Sequence, residues 1–159
     1  MTKLKSTRDG FGEGLLESAR DNESIVVLSA DLTESTRCLS FKQAFPERFF
    51  EVGVAEQNMI GLAAGLALSG KTPVVSSYAV FSPGLSWSQI RSSICYQNLN
   101  VKIIGHHSGV SIGPDGATHQ GLEDIALTRC IPNLVVLAPS DESEAKKATI
   151  KALNHKGPV

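Results

Sequence analysis

Cysteine is scarce in this chain. Cys38, Cys95 and Cys130 are odd in number, far apart and without a CxxC pair. Neither a disulfide framework nor a cysteine zinc centre is expected from them, and a reducing cytoplasm is the setting that fits. Their simplest role is that of small buried hydrophobes. A surplus of either charge is also missing, since 15 Lys and Arg stand against 16 Asp and Glu for a formal net charge of −1. That removes the electrostatic footprint of a nucleic-acid binder and leaves small molecules or proteins as partners. Long apolar runs are lacking too. The longest weakly polar stretch, residues 59–69, is rich in Gly and Ala and falls short of the ~20 residues of a spanning helix, so no membrane association is expected. The opening MTKLKSTRDGFGEG has no apolar core behind its basic residues, which argues against a secretory leader. No Walker sequence occurs and no GxGxxG follows a strand, so the chain has no phosphate cradle of its own.

What the chain does have is alternation. Its 159 residues, 42% hydrophobic and 19% charged, suit a single globular domain over 1–159 with a sizeable core. Short β-branched runs at 25–29, 49–52, 73–77, 101–105 and 134–138 read as strands. Helical patterns lie near 10–21, 40–45, 56–69, 84–95, 120–128 and 141–154. The last of these is the best marked: Asp141 precedes it, Glu144 sits where a capping-box partner belongs, and Ala145, Ala148, Ala152 and Leu153 recur at helical spacing. The glycines of Gly10-Phe11-Gly12-Glu13-Gly14 precede the first strand and are discounted as a phosphate loop. Such alternation predicts an α/β fold, a mostly parallel sheet with helices on both faces, whose ligands bind beyond the carboxyl ends of the strands. The polar segments 31–36, 78–81 and 106–119 fall where that rule needs them. Lys156-Gly157-Pro158-Val159 reads as a turn entering a further strand, so the domain is expected to be cut short at its C-terminus.

Glu56 follows an apolar strand at the start of a helix. From spacing alone it is foremost a carboxylate favouring the positive end of the helix dipole. The functional alternative is a carboxyl group in apolar surroundings that holds or donates a proton. Gly61, Ala63, Ala64, Gly65 and Ala67 give the following helix a surface that another backbone can approach closely, whether the protein's own sheet or a second subunit. The loop around His106, His107, Asp115 and His119 reads as an ordinary surface loop, as a metal site, or as hydrogen-bond donors for an oxygen-rich substrate. Adjacent histidines point apart at a strand end, so no metal site is expected. A neutral histidine can also relay protons. Tyr78, Phe81 and Trp87 can form an aromatic pocket or belong to the core.

Together, Asp31-Leu32-Thr33, the run from Phe50 through Glu56-Gln57-Asn58-Met59, and Gly113-Pro114-Asp115-Gly116-Ala117-Thr118-His119-Gln120 resemble transketolase, specifically its central pyrimidine-binding domain. The resemblance runs from about Arg8 to the C-terminus and is nearest to the split form, in which this region opens the C-terminal polypeptide. It implies the thiamine diphosphate-binding fold and transfer of a two-carbon ketol unit between sugar phosphates. Glu56 matches the glutamate that contacts N1′ of the cofactor's aminopyrimidine and favours its imino tautomer. Phe81 matches the aromatic residue stacked on that ring, with Tyr78 beside it. Asp115 and His119 match positions that hydrogen-bond donor-sugar hydroxyls, with His119 also a catalytic candidate. His107 and Arg8 match phosphate-end contacts, Ser35 joins them, and Asp31 matches a polar residue of the domain interface.

The departures carry equal weight. Where many transketolases carry histidine this chain has Gln57, a choice seen in relatives such as 1-deoxyxylulose-5-phosphate synthase. Gly84 and Ser86 lie near the places of the other pocket aromatics, and Trp87 is offset. The family's diphosphate-binding domain, which holds magnesium, is not in this sequence, nor is its C-terminal domain. The resemblance therefore implies a cofactor site shared with a diphosphate-binding N-terminal subunit, Mg2+ held by that partner, a homodimer through the pyrimidine domain, and an isolated chain that is inactive. The alternatives are a 1-deoxyxylulose-5-phosphate synthase-like or keto-acid dehydrogenase beta-like subunit, a non-catalytic assembly module, and a generic doubly wound nucleotide-binding domain.

Overall fold

The computed structural model describes residues 5–159. Four parallel strands, β1 (Ile25–Ser29), β2 (Phe49–Glu51), β3 (Thr72–Tyr78) and β4 (Lys102–His106), form a sheet in the order β2-β1-β3-β4. Every residue of β1 and β3 is buried, as expected where helices cover both faces. Side chains alternate between those faces. Val26, Leu28 and Val75 pack with Met59, Ile60 and Ala63 of α3 (Glu56–Leu68). Ile25, Val27 and Val74 pack with Phe11 and Leu15 of α1 (Thr7–Asp21) and with Phe41 of α2 (Leu39–Ala44). Each such fully buried aliphatic side chain contributes about 1.5–3 kcal/mol relative to exposure.

After β3 the chain turns through wide π-type turns at Val80–Leu85 and Ile90–Cys95, with one ordinary helical turn, α4 (Trp87–Gln89), between them. The regular helix expected at 84–95 is broken into these turns, and Pro83, which has no amide hydrogen to donate, lies just ahead of that span. The helix expected at 120–128 is confined to α5 (Asp124–Arg129). α6 (Glu142–Asn154) carries the expected cap: Asp141 Oδ1 accepts from the Glu144 amide at 2.7 Å, and Glu144 Oε2 accepts from the Ser140 amide at 2.7 Å.

The first helix begins at Thr7, a little before the expected start at Gly10, and Gly10, Gly12 and Gly14 lie inside it as expected. Those glycines are there for contact. A Cβ on Gly10 would lie 2.0 Å from the Glu142 carbonyl oxygen, and one on Gly14 would lie 2.8 Å from that of Lys146. Only hydrogen at these positions lets α1 and α6 approach so closely.

Residues 134–138 do not form the expected fifth strand. Their backbone has no strand beside it, and a cleft of about 500 Å3 separates them from β4. Val159 lines one end of that cleft, with Pro158 beside Val135. The Val135 amide donates to the Pro158 carbonyl, and Val159 exchanges bonds with Val101 and Ile103 at 3.2 and 2.9 Å. Lys102, almost wholly buried, holds the approach by donating to Asn100 Oδ1 and to the carbonyls of His155 and Gly157 at 2.7–2.8 Å. Burial pulls its pKa down to about 8.

Candidate functional site

The carboxyl ends of the strands meet on one rim, and two adjacent serines on β3 serve its two sides. Ser77 points to the α3 face, where its hydroxyl donates to Glu56 Oε1 at 2.9 Å. Glu56 opens α3, both groups are buried, and Oε2 has no hydrogen-bond partner among the described residues. Ser76 points the other way, to His106 Nε2 at 3.0 Å and Cys38 Sγ at 3.4 Å. The His106 ring also lies edge-on to Phe11, 5.0 Å between centroids. Burial, aided by His107 and Arg8, drives the His106 pKa down to about 3, so it is a neutral part of the core.

Beyond β3, Tyr78 and Phe81 lie nearly parallel, 14° apart, with centroids separated by 6.4 Å. His119 stands edge-on to Phe81 at 5.4 Å and to Tyr78 at 6.2 Å. Its Nδ1 is 2.9 Å from the Thr118 hydroxyl. Gln57 Nε2 donates to the Leu85 carbonyl at 3.3 Å, tying the start of α3 to the turn that carries Phe81.

Behind this aromatic group, His107 packs on Tyr78 with 4.5 Å between centroids. Its backbone φ of +54° is the left-handed region, which turns the chain sharply where β4 ends and sends His107 away from His106. Arg8 Nη1 lies 3.3 Å from His107 Nε2 and donates to the Ser35 carbonyl at 2.9 Å. Burial and then Arg8 lower the His107 pKa, while Asp115 pulls it up.

The structure thus brings Arg8, Ser35, Tyr78, Phe81, His107 and His119 into one contiguous group. Asp115 stands exposed on the turn at Gly113 and Gly116. Ser35 contributes its main-chain carbonyl, because its own hydroxyl bonds to the Leu32 carbonyl at 3.2 Å. Trp87 leaves the aromatic pocket considered for it: its indole donates to the Leu127 carbonyl at 2.7 Å and its ring packs on the α3-side core. Sequence reasoning also overlooked Ser77 and Glu51. Glu51 receives the Asp31 amide at 2.7 Å and the Thr33 hydroxyl at 3.0 Å, fixing the loop after β1, where Asp31 has φ +59°. The available signal was a pair of serines inside an apolar strand. Buried hydroxyls need partners.

A family model described as "Transketolase, pyrimidine binding domain" matches residues 3–159. The chain belongs to this transketolase family. It is 50% identical over 155 residues to the "Putative transketolase C-terminal section" of Methanocaldococcus jannaschii, a match that takes in 98% of this chain and 49% of that protein. It is 43% identical over 149 residues to the 1-deoxy-D-xylulose-5-phosphate synthase of Desulfotalea psychrophila, covering 94% of this chain and 23% of that one. A solved structure described as "Split gene transketolase, inactive beta4 tetramer" superposes with a TM-score of 0.87 at 46% identity, over 99% of this chain and 50% of that one. The chain therefore spans about half the length of its split-transketolase relatives. The parallel sheet covered by helices is the fold of the transketolase pyrimidine domain.

Proposed function

We propose that this chain supplies the pyrimidine-binding half of a thiamine diphosphate-dependent transketolase site and acts only with a diphosphate-binding N-terminal subunit, which holds the Mg2+. The observation that carries the reading is Glu56: a buried carboxylate, fixed at one oxygen by Ser77 and unpartnered at the other, on the same rim as a tyrosine–phenylalanine pair. Thiamine diphosphate, when bound, supplies the electron sink for cleaving and remaking a ketose carbon–carbon bond.

The residues present fit that group. Glu56 Oε2 is free to exchange a proton with the cofactor's ring nitrogen, and Phe81, backed by Tyr78, offers an aromatic face to the pyrimidine. His119 and Asp115 stand ready to hydrogen-bond sugar hydroxyls, with His119 also able to pass a proton. Arg8 and His107 form the polar end for a sugar phosphate, beside the Ser35 carbonyl. Free thiols at Cys38, Cys95 and Cys130 accord with a cytoplasmic setting. The outer face of α3 is open, with nothing within 4 Å of a Cβ built on Gly61 or Gly65, and suits pairing of two copies.

The test is calorimetric titration of thiamine diphosphate and magnesium into the chain alone and into its mixture with the diphosphate-domain subunit. Binding and ketol transfer are expected only in the mixture, with Glu56→Ala abolishing transfer. Unchanged transfer in that variant would sink the reading. A second reading, synthesis of a deoxyketose phosphate from pyruvate, draws support from Gln57 and from the synthase relative at 43% identity. Product analysis with pyruvate against ketose phosphate donors separates the two.

A further inference from the structure

We infer that Ser77 is a positioning residue for Glu56, an inference that rests on the reading of Glu56 given above. A hydroxyl in the middle of a buried parallel strand is unfavourable unless it is satisfied. Ser77 is wholly buried, and its partner is Glu56 Oε1 at 2.9 Å, itself in a residue only 4% exposed. Strand parity makes the pairing specific. Ser76, its neighbour on β3, faces the opposite side of the sheet and is taken up by His106 and Cys38. Ser77 alone of the two can reach the carboxylate.

The division of labour between the carboxylate oxygens follows from the donor. A glutamate has three rotatable side-chain bonds and two equivalent oxygens, so without an anchor its carboxylate samples several orientations. The Ser77 hydroxyl removes that freedom at Oε1 and leaves Oε2 without a hydrogen-bond partner among the described residues. It touches neither the proposed cofactor nor the sugar, and acts through Glu56.

The test uses the complex of this chain with its diphosphate-domain subunit and the variants Ser77→Ala, Ser77→Cys and Glu56→Gln. Hydrogen bonds to charged groups are strong enough that Ser77→Ala should weaken thiamine diphosphate binding about tenfold or more. The kcat should fall by a similar factor while KM for the donor ketose stays within about twofold. Ser77→Cys keeps the volume but replaces the hydroxyl with a weak donor, and should reproduce both losses with the thermal midpoint preserved, which covers the case in which the alanine variant folds poorly. In the Glu56→Gln background, replacing Ser77 should cost cofactor binding little more, because the two act as one unit. Full cofactor affinity and kcat in a folded Ser77→Cys complex, with Glu56→Gln impaired, would overturn the inference and leave the site reading intact. Full affinity in Glu56→Gln would remove the site reading, and the inference with it.

Discussion

Arg8 Nη1 and His107 Nε2 lie 3.3 Å apart, joining residues separated by 99 positions in the chain. The contact bridges the first turn of α1 and the loop after β4 and sets a charge beside an imidazole. Burial and that charge both hold the His107 pKa below its ordinary value. The ring is therefore neutral at pH 7, able to accept at one nitrogen and donate at the other. Replacing Arg8 with Gln should move the His107 titration upward toward 6.5, as followed by imidazole NMR signals of the isolated chain. The same change should raise KM for phosphorylated donors in the assembled enzyme. A downward movement would contradict the geometry.

His106 gives the chain an acid limit. Its folded pKa of about 3 lies below the ordinary 6.5, so the unfolded chain takes up a proton first as pH falls. Stability is complete above pH 6.5 and declines as pH drops toward the folded value. The expected loss between pH 6.5 and 4 is about 3 kcal/mol. His107, lowered in the same direction, adds to the slope, whereas Asp9, held down by the Ser6 amide and Arg37, contributes only at more acid pH. Urea unfolding at a series of pH values should show a flatter acid limb for His106→Asn. Parallel curves for variant and parent would disprove the assignment.

Asp115 separates binding from folding. It is exposed and makes no hydrogen bond among the described residues. Asp115→Ala should therefore leave unfolding free energy within about 0.5 kcal/mol of the parent. In the assembled enzyme it should raise KM for the donor ketose about tenfold. Unfolding curves and steady-state kinetics on the same preparations check both halves.

The four paired strands were legible because β-branched runs bounded by polar loops coincide with strands that have neighbours. Residues 134–138 carry the same signature and fail, since residue preference does not reveal whether a strand lies alongside. The helix expected at 10–21 is present and begins at Thr7, but the reason for its glycines, which admit α6 at Gly10 and Gly14, was not legible. Glu56, Phe81, Asp115, His107 and His119 were candidates from the sequence itself, and family resemblance supplied their proposed roles and added Arg8. Ser77 and Glu51 were missed because their importance lies in what they hold, which only the register of β3 and the turn after β1 make visible.

The open margin of β4 bears on how the isolated chain behaves in solution. Beyond Ile103, which Val159 covers, the backbone faces a cleft instead of a strand, and across it Val135, Val136 and Leu137 remain 37–47% exposed. An unprotected edge beside apolar side chains is a template for adding further chain segments. Concentrated, partnerless preparations should therefore turn cloudy on storage, and a lysine at Val136 should keep them clear.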